Sequence, residues 1–293
     1  MKLKESFNPF FVWQEKVGMS QKTIQNDRYY LERALAPSIG DKELSDLKKT
    51  DVSKVIEAGR TCGKYGPQRG VCILRKLLKY LKESGHPIPF RWQDIKVPSV
   101  SQKQVEYLTE PELESLLNAI DFTDPSGLRT RVLLEVLYAT GMRIGEAISM
   151  NQEDVDWKNK EAIITNVKSK QQEKVYFSDR SLSWLTRYLN SRDDKNPALF
   201  ISGGTRLVRA SSQGCFVRHL RSLAVSLGIK KKITHHLFRK TFVTHLVQRK
   251  ADIMAVKDLA RHKSERTTLT NYTGVDPKRS KAIHGDIMNG LLG

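Results

Sequence analysis

The sequence predicts a mainly α protein with a small β-sheet, arranged as a helical N-terminal domain followed by an α+β domain. Three observations predict this. Apolar residues recur at helical intervals over most of the chain, as in Val71, Leu74, Leu77, Leu78 and Leu81. A strand-like texture is confined to residues 161–177, where Ile163, Ile164, Val167, Val175 and Tyr176 flank the polar turn from Lys168 to Gln172. Between these regions Gly85, Pro87, Pro89 and Pro98 forbid a continuous helix. At 293 residues the chain has room for about two domains. The expected division is a helical domain over 1–97, a linker over 98–107 and a second domain over 108–293.

In the first domain, Thr23–Leu35 reads as a helix through Ile24, Tyr30 or Leu31, and Leu35, with a break expected at Pro37 and Gly40. Asp51 is the expected cap of a short helix through Val52, Val55 and Ile56 that stops near Gly59 and Gly63. Gly70–Ser84 is an amphipathic helix whose outer face carries Arg75, Lys76, Lys79 and Lys82.

The second domain opens on Leu108-Thr109-Glu110-Pro111-Glu112-Leu113. Thr109 and Glu112 have capping-box spacing, Pro111 sits inside the first turn, and Leu108 can staple onto Leu113. Helices are expected over 110–120 and 127–139 and from about 144. After the strands they are expected again over Leu182–Leu189, Cys215–Leu227, Phe238–Gln248 and Ile253–Leu259. From Pro277 onward a last helix or tail carries Ile283, Ile287, Met288, Leu291 and Leu292 as an apolar stripe.

Charge narrows the function. Fifty Lys and Arg against thirty-two Asp and Glu leave a net +18, of which residues 1–107 carry +8 and residues 108–293 carry +10. Lys195 to Ala251 holds twelve Lys or Arg and no Asp or Glu. A solvated helix normally mixes signs to gain pairs one turn apart. A cationic tract that forgoes them suits a partner that brings its own anions, and the phosphates of nucleic acid are the expected ones. Arg75 and Lys79, then Arg218 and Arg221, are the residues expected to read DNA from their helices, with Lys240 expected as a further contact. No run approaches the roughly 18 apolar residues of a membrane span, and the N-terminus lacks an apolar signal core. Three widely spaced cysteines without a CxxC pair argue against a disulfide framework or structural zinc and for a reducing cytosol. With nucleic acid as the expected partner, the expected place is the cytoplasm, in association with the nucleoid.

Four clusters in the second domain carry chemistry. Ala139-Thr140-Gly141-Met142-Arg143-Ile144-Gly145-Glu146 puts an arginine on a glycine turn at the mouth of a helix. Lys168 and Lys170 stand in the polar turn between strands. His235-His236-Leu237-Phe238-Arg239-Lys240 and Arg261-His262-Lys263-Ser264 follow, and then Tyr272. Taken singly, each has an ordinary structural explanation. A metal site on His235, His236 and His245 is the weaker reading, because no acidic or cysteine ligand lies near them and HExxH spacing is absent. No GxxxxGK[ST] phosphate loop occurs either.

The order of these clusters resembles the tyrosine recombinase (phage integrase) family, of the Xer-like or mobile-element type without an arm-binding domain. The segments TGMRIGEAI, THHLFRKTFVTHL and ARHKSERTTLTNYTGV carry the resemblance. Two departures stand out. His262 and Tyr272 are ten residues apart where the family usually has nine, and Arg261 occupies the usual place of a glycine. The resemblance implies a core-binding (SAM-like) first domain and a catalytic second domain. It also implies strand cleavage by Tyr272 through a covalent 3′-phosphotyrosine, with Arg143, Lys168, His236, Arg239 and His262 assisting. Lys168 is preferred to Lys170 by its register to the following strand.

These residue types suit that reaction. A phenol has a pKa near 10 and attacks phosphorus poorly unless a base or cations assist it. The pentacoordinate transition state gathers negative charge on its non-bridging oxygens, which Arg143, Arg239 and His262 would stabilise. The family pattern places His236 to take the phenolic proton and Lys168 to protonate the leaving 5′-oxygen. Because the phosphotyrosine conserves the bond energy, neither metal nor other cofactor is expected. The expected partner is a double-stranded recombination site, bound by a homo-oligomer, a tetramer on two sites linked through the C-terminal tail. The competing readings are a type IB topoisomerase-like relaxase, whose second box usually carries Lys at the place of His236, and a non-catalytic DNA-binding protein on the same fold.

Overall fold

The structure, a computed structural model, describes residues 1–99, 105–165, 171–202 and 215–261, with the backbone alone at 215–219. The chain divides into two compact units, Met1–Lys103 and Gln104–Gly293.

The first unit is a helical bundle of α1 (Phe7–Lys16), α2 (Gln21–Tyr30), α3 (Ala36–Ile39), α4 (Val52–Arg60) and α5 (Gly66–Glu83). Its core is the apolar stripe of α5 (Val71, Leu74, Leu77, Leu78, Leu81), all nearly inaccessible, packed with Phe10, Leu31 and Leu35. Burying each such side chain contributes about 1.5–3 kcal/mol relative to leaving it in water. α5 begins four residues before the expected Gly70 because Pro67 sits comfortably in a first turn. Gly59 and Gly66 also let α4 and α5 touch backbone to backbone: a Cβ on Gly66 would stand 1.9 Å from the Gly59 carbonyl oxygen.

Two local expectations are corrected here. The helix does not break at Pro37. A wide π-helical turn over Leu31–Leu35 changes the hydrogen-bond register, and α3 then carries Pro37 in its first turn, where the missing N–H needs no acceptor. Asp51 precedes α4 but its carboxylate does not cap it. It accepts the Lys48 N–H at 2.9 Å and the Lys42 ammonium at 2.6 Å instead, closing the preceding turn.

The second unit starts with α6 (Glu110–Asn118), whose reciprocal box has Glu112 accepting the Thr109 N–H at 2.7 Å and Thr109 Oγ1 accepting the Glu112 N–H at 3.4 Å. α7 (Pro125–Thr140) follows and is buried along most of its length, then the short α8 (Ile144–Ser149). An antiparallel sheet of β1 (Val155–Asp156), β2 (Glu161–Thr165) and β3 (Gln172–Tyr176) has the order β1-β2-β3, with Ile163 opposite Lys174. Ala162, Ile164 and Val175 face the core while Ile163 and Tyr176 face out, the alternation expected of a sheet covered on one side. β1 was not expected; two residues are too short to show a period.

α9 (Asp179–Asn190), α10 (Cys215–Ser226), α11 (His235–Gln248) and α12 (Ile253–Ala260) complete the unit. Leu108, Leu133, Leu137, Leu185, Phe200 and Phe238 lie at its centre. α11 starts three residues earlier than its apolar pattern, because Thr234 accepts the Leu237 N–H at 3.2 Å and so caps a turn holding both histidines. The stretch from Pro277 onward lies outside the described residues. Among the described residues no helix is long and apolar enough to cross a membrane.

Candidate active site

The site forms where α7 ends. Thr140 Oγ1 donates back to the Val136 carbonyl at 2.7 Å, and Gly141 then turns left-handed at φ 59°. Only glycine fits that corner: a Cβ on Gly141 would stand 2.3 Å from Phe242 Cδ1. The corner presents Arg143 as the residue that opens α8. Its N–H donates to Glu146 Oε2 at 2.8 Å and its guanidinium Nη1 donates to Glu146 Oε1 at 2.6 Å. The Arg143 side chain keeps 47% exposure while Glu146 keeps 2%. A buried carboxylate therefore holds the root of a cation whose face stays open to solvent. Burial would raise the Glu146 carboxyl, but the Arg143 N–H and guanidinium, with the charge of Arg261, hold it below the usual carboxylate range.

α11 brings the second arginine to the same corner. Arg239 is buried, and its Nη1 donates to the Gly141 carbonyl at 2.6 Å while its Nη2 donates to the Ala260 carbonyl at the end of α12. Two of its five N–H donors thus fix the plane of the guanidinium. His236, one turn earlier, is exposed at the helix start. Partial desolvation lowers its pKa, and the cations Lys240, Arg239 and Arg143 push the same way. A neutral imidazole at neutral pH is the form able to accept a proton. Lys240 is half-buried beside it.

The sequence pattern gave no role to Arg261 beyond its departure from the family's glycine, yet the structure sets it in the middle of the site. It ends α12 in the left-handed conformation, φ 52°, with its side chain buried. Its Nη2 lies 3.1 Å from Glu146 Oε2 and its Nε lies 3.3 Å from Glu173 Oε2 on β3. Glu173 was missed for a plain reason: one carboxylate on a short strand has no sequence partner to announce it.

The other expected residues divide. Arg75 stacks over the Trp92 ring at 5.3 Å, and Lys79 is exposed and pairs with Glu83 at 3.6 Å. Arg221 is exposed and its Nε donates to the Ile233 carbonyl at 3.3 Å. Arg218 lies on α10. Its side chain, with Lys168, His262 and Tyr272, lies outside the described residues. Among the described residues no group of three or more His, Cys, Asp or Glu is placed to hold a metal ion.

This corner, with two arginines and a histidine drawn from α8 and α11, lies inside the match to the phage integrase family model, which covers residues 106–279. The chain belongs to the phage integrase family. Within it, the chain is 28% identical over 295 residues to the tyrosine recombinase XerD of Listeria monocytogenes serotype 4b (strain F2365), covering 96% of this chain and 97% of that one. It is 29% identical over 275 residues to the tyrosine recombinase XerC of Bacillus subtilis (strain 168), covering 90% and 81%. The phage integrase fold extends to solved structures. The Tn1549 transposon integrase in complex with transposon right end DNA superposes with a TM-score of 0.81 at 16% identity, covering 98% of this chain and 100% of that one. A lambda integrase tetramer bound to a Holliday junction gives 0.72 at 16% identity, covering 90% and 78%. At those identities the likeness is one of fold.

Proposed function

We propose that this chain is a site-specific DNA recombinase that breaks and rejoins strands through a 3′-phosphotyrosine on Tyr272. The observation that carries the reading is the Gly141 corner: Arg143 stands two residues after it, Arg239 donates to its carbonyl, and His236 lies within the field of both. One clamp of this kind suits one phosphodiester.

In the forward step the Tyr272 oxygen bonds to phosphorus and the bond from phosphorus to the 5′-oxygen breaks. The phenolic proton passes to His236, and Lys168 supplies a proton to the departing 5′-oxygen. Arg143, Arg239 and His262 donate to the non-bridging oxygens, where charge is greatest in the transition state. Glu146 is the carboxylate that orients Arg143. The partner strand's 5′-hydroxyl then attacks the adduct and regenerates the phenol, so strands exchange without an external energy source. The relatives named tyrosine recombinases and the solved complexes with DNA support DNA as the partner and an oligomer as the acting form. Four protomers on two sites, joined through the tail from Pro277 to Gly293, is the finer form of the proposal, with Arg75, Lys79, Arg218, Arg221 and Lys240 contacting DNA.

The test starts from duplexes that the protein enriches from a random-sequence pool. Each is remade with a nick moved one base at a time, so that a cleaved fragment diffuses away and traps the adduct. Wild type is expected to give an SDS-stable protein–DNA adduct and Tyr272→Phe none. Absence of an adduct from wild type across the series overturns the reading, and strand joining between two sites separates exchange from simple relaxation.

A further inference from the structure

Glu146 is shared. Its Oε1 accepts from the Arg143 guanidinium at 2.6 Å, and its Oε2 lies 3.1 Å from Arg261 Nη2. Both the carboxylate and the Arg261 side chain are almost wholly buried, at 2% and 3% exposure. A second carboxylate, Glu173 on β3, lies 3.3 Å from Arg261 Nε. One guanidinium therefore bridges α8, β3 and the end of α12. The chain accepts a backbone cost for it: φ 52° and ψ 48° are left-handed, an arrangement unfavourable for a non-glycine residue. A buried cation that costs backbone strain and desolvation persists when its neighbours need its charge.

Glu146 is the neighbour that needs it. With Arg143 as its sole cation, the whole charge of a buried carboxylate would fall on the guanidinium expected to meet the phosphate. It would draw that side chain inward and offset its positive field. Arg261 takes up one carboxylate oxygen, so Arg143 is held by a single Nη1 contact and stays open to the outside.

We propose that Arg261 is a positioning residue for Arg143, acting through the carboxylate of Glu146 that the two arginines share. This rests on the reading of Arg143 as a phosphate-binding group of a DNA-cleaving enzyme. Two variants test it. Arg261→Gly suits the left-handed backbone and removes the cation, whereas Arg261→Lys keeps charge and most of the volume but cannot span two carboxylates. Single-turnover cleavage is measured on the nicked duplex and on the same duplex with a methylphosphonate at the scissile position, where one anionic oxygen is replaced by a methyl group.

On the ordinary diester, Arg261→Gly is expected to cleave about 10–100-fold more slowly than wild type, with Arg261→Lys between them. Binding of the uncleaved duplex should stay within about twofold, since the effect belongs to the transition state. On the methylphosphonate the deficit should shrink to about threefold or less, because there is less charge for Arg143 to neutralise. A residue that merely held the fold together would slow both substrates alike. Equal slowing on both, or none on the diester, overturns the inference while wild type still forms its adduct. Failure of wild type to form any adduct removes the functional reading itself and takes this inference with it. Should Arg261→Gly unfold below the assay temperature, the same ratio is read from Arg261→Lys.

Discussion

Arg239 donates to the carbonyl of Gly141 at 2.6 Å across ninety-eight residues of sequence, and that one bond sets the second arginine against the turn that launches the first. Gly141 is thus a corner, a hydrogen-bond acceptor and a close-packing site together. Gly141→Ala is expected to lose about 2–4 kcal/mol, from a left-handed alanine and from a methyl group driven into the Phe242 ring. Urea unfolding checks the magnitude. Cleavage by the fraction still folded should also fall, because relieving the clash moves the carbonyl that Arg239 holds. A variant as stable and active as wild type contradicts this account of the corner.

Arg143→Lys should separate binding from chemistry. A lysine keeps the charge but lacks the planar fork that reaches Glu146 and a phosphate oxygen together. Losing one transition-state donor costs about 3–4 kcal/mol, roughly 10²–10³ in rate. Adduct formation on the nicked duplex should fall by that factor, while a gel-shift measurement on the intact duplex should change little. Loss of binding in step with rate would assign Arg143 to ground-state recognition instead.

The contrast between Arg143 and Arg261 shows what sequence reveals here. Arg143 is legible because a glycine turn, an arginine and a glutamate three residues on form one local pattern, and the structure keeps it local. The capping box of Thr109 and Glu112 and the apolar stripe of α5 are legible for the same reason. Arg261 is different: its partners are 115 residues away at Glu146 and on another element at Glu173, and no spacing encodes a contact that only the fold makes. Thr234 could have been found. A threonine three residues before Leu237 is an ordinary cap signal, hidden because His235 and His236 break the apolar period. Pro37 misled because a proline reads as a helix break unless a widened turn precedes it, and nothing in Leu31–Leu35 announces one.

His245 links acidity to stability. Its Nε2 is 2.9 Å from the Leu108 carbonyl, which can only accept, so Nε2 carries the proton and Nδ1 accepts from the Tyr138 hydroxyl at 2.9 Å. Burial holds its pKa below the ordinary histidine value, with Arg249 acting the same way against the opposing pull of the Leu108 carbonyl and Glu110. As pH falls through the unfolded-state value of about 6.5, the unfolded chain takes up a proton that the folded chain refuses, so stability is lost toward acid. His235 and His236, also lowered by desolvation, add to the trend. Melting temperature should therefore drop between pH 7.5 and 5.5, and His245→Gln, which cannot titrate, should drop less. An equal drop in both proteins removes His245 from the account.

The excess of cations predicts how binding answers to salt. A duplex contacted through six to ten phosphates releases its condensed counterions on binding, and affinity then falls about 10³–10⁵ between 50 and 200 mM salt. Two of the expected DNA contacts that stand exposed on helices, Lys79 and Arg221, differ in their attachments: Lys79 makes a solvent-screened pair with Glu83, and Arg221 is tethered to the Ile233 carbonyl. Lys79 gives up little to meet a phosphate, since an exposed pair of that kind is worth less than about 1 kcal/mol. Lys79→Ala should accordingly flatten the slope of log affinity against log salt by about one, without changing the relative preference among duplex sequences. Titrations at four salt concentrations with an enriched and an unrelated duplex measure both. A change confined to the enriched duplex would make Lys79 a base-reading residue, and no change in either slope would remove it from the DNA surface.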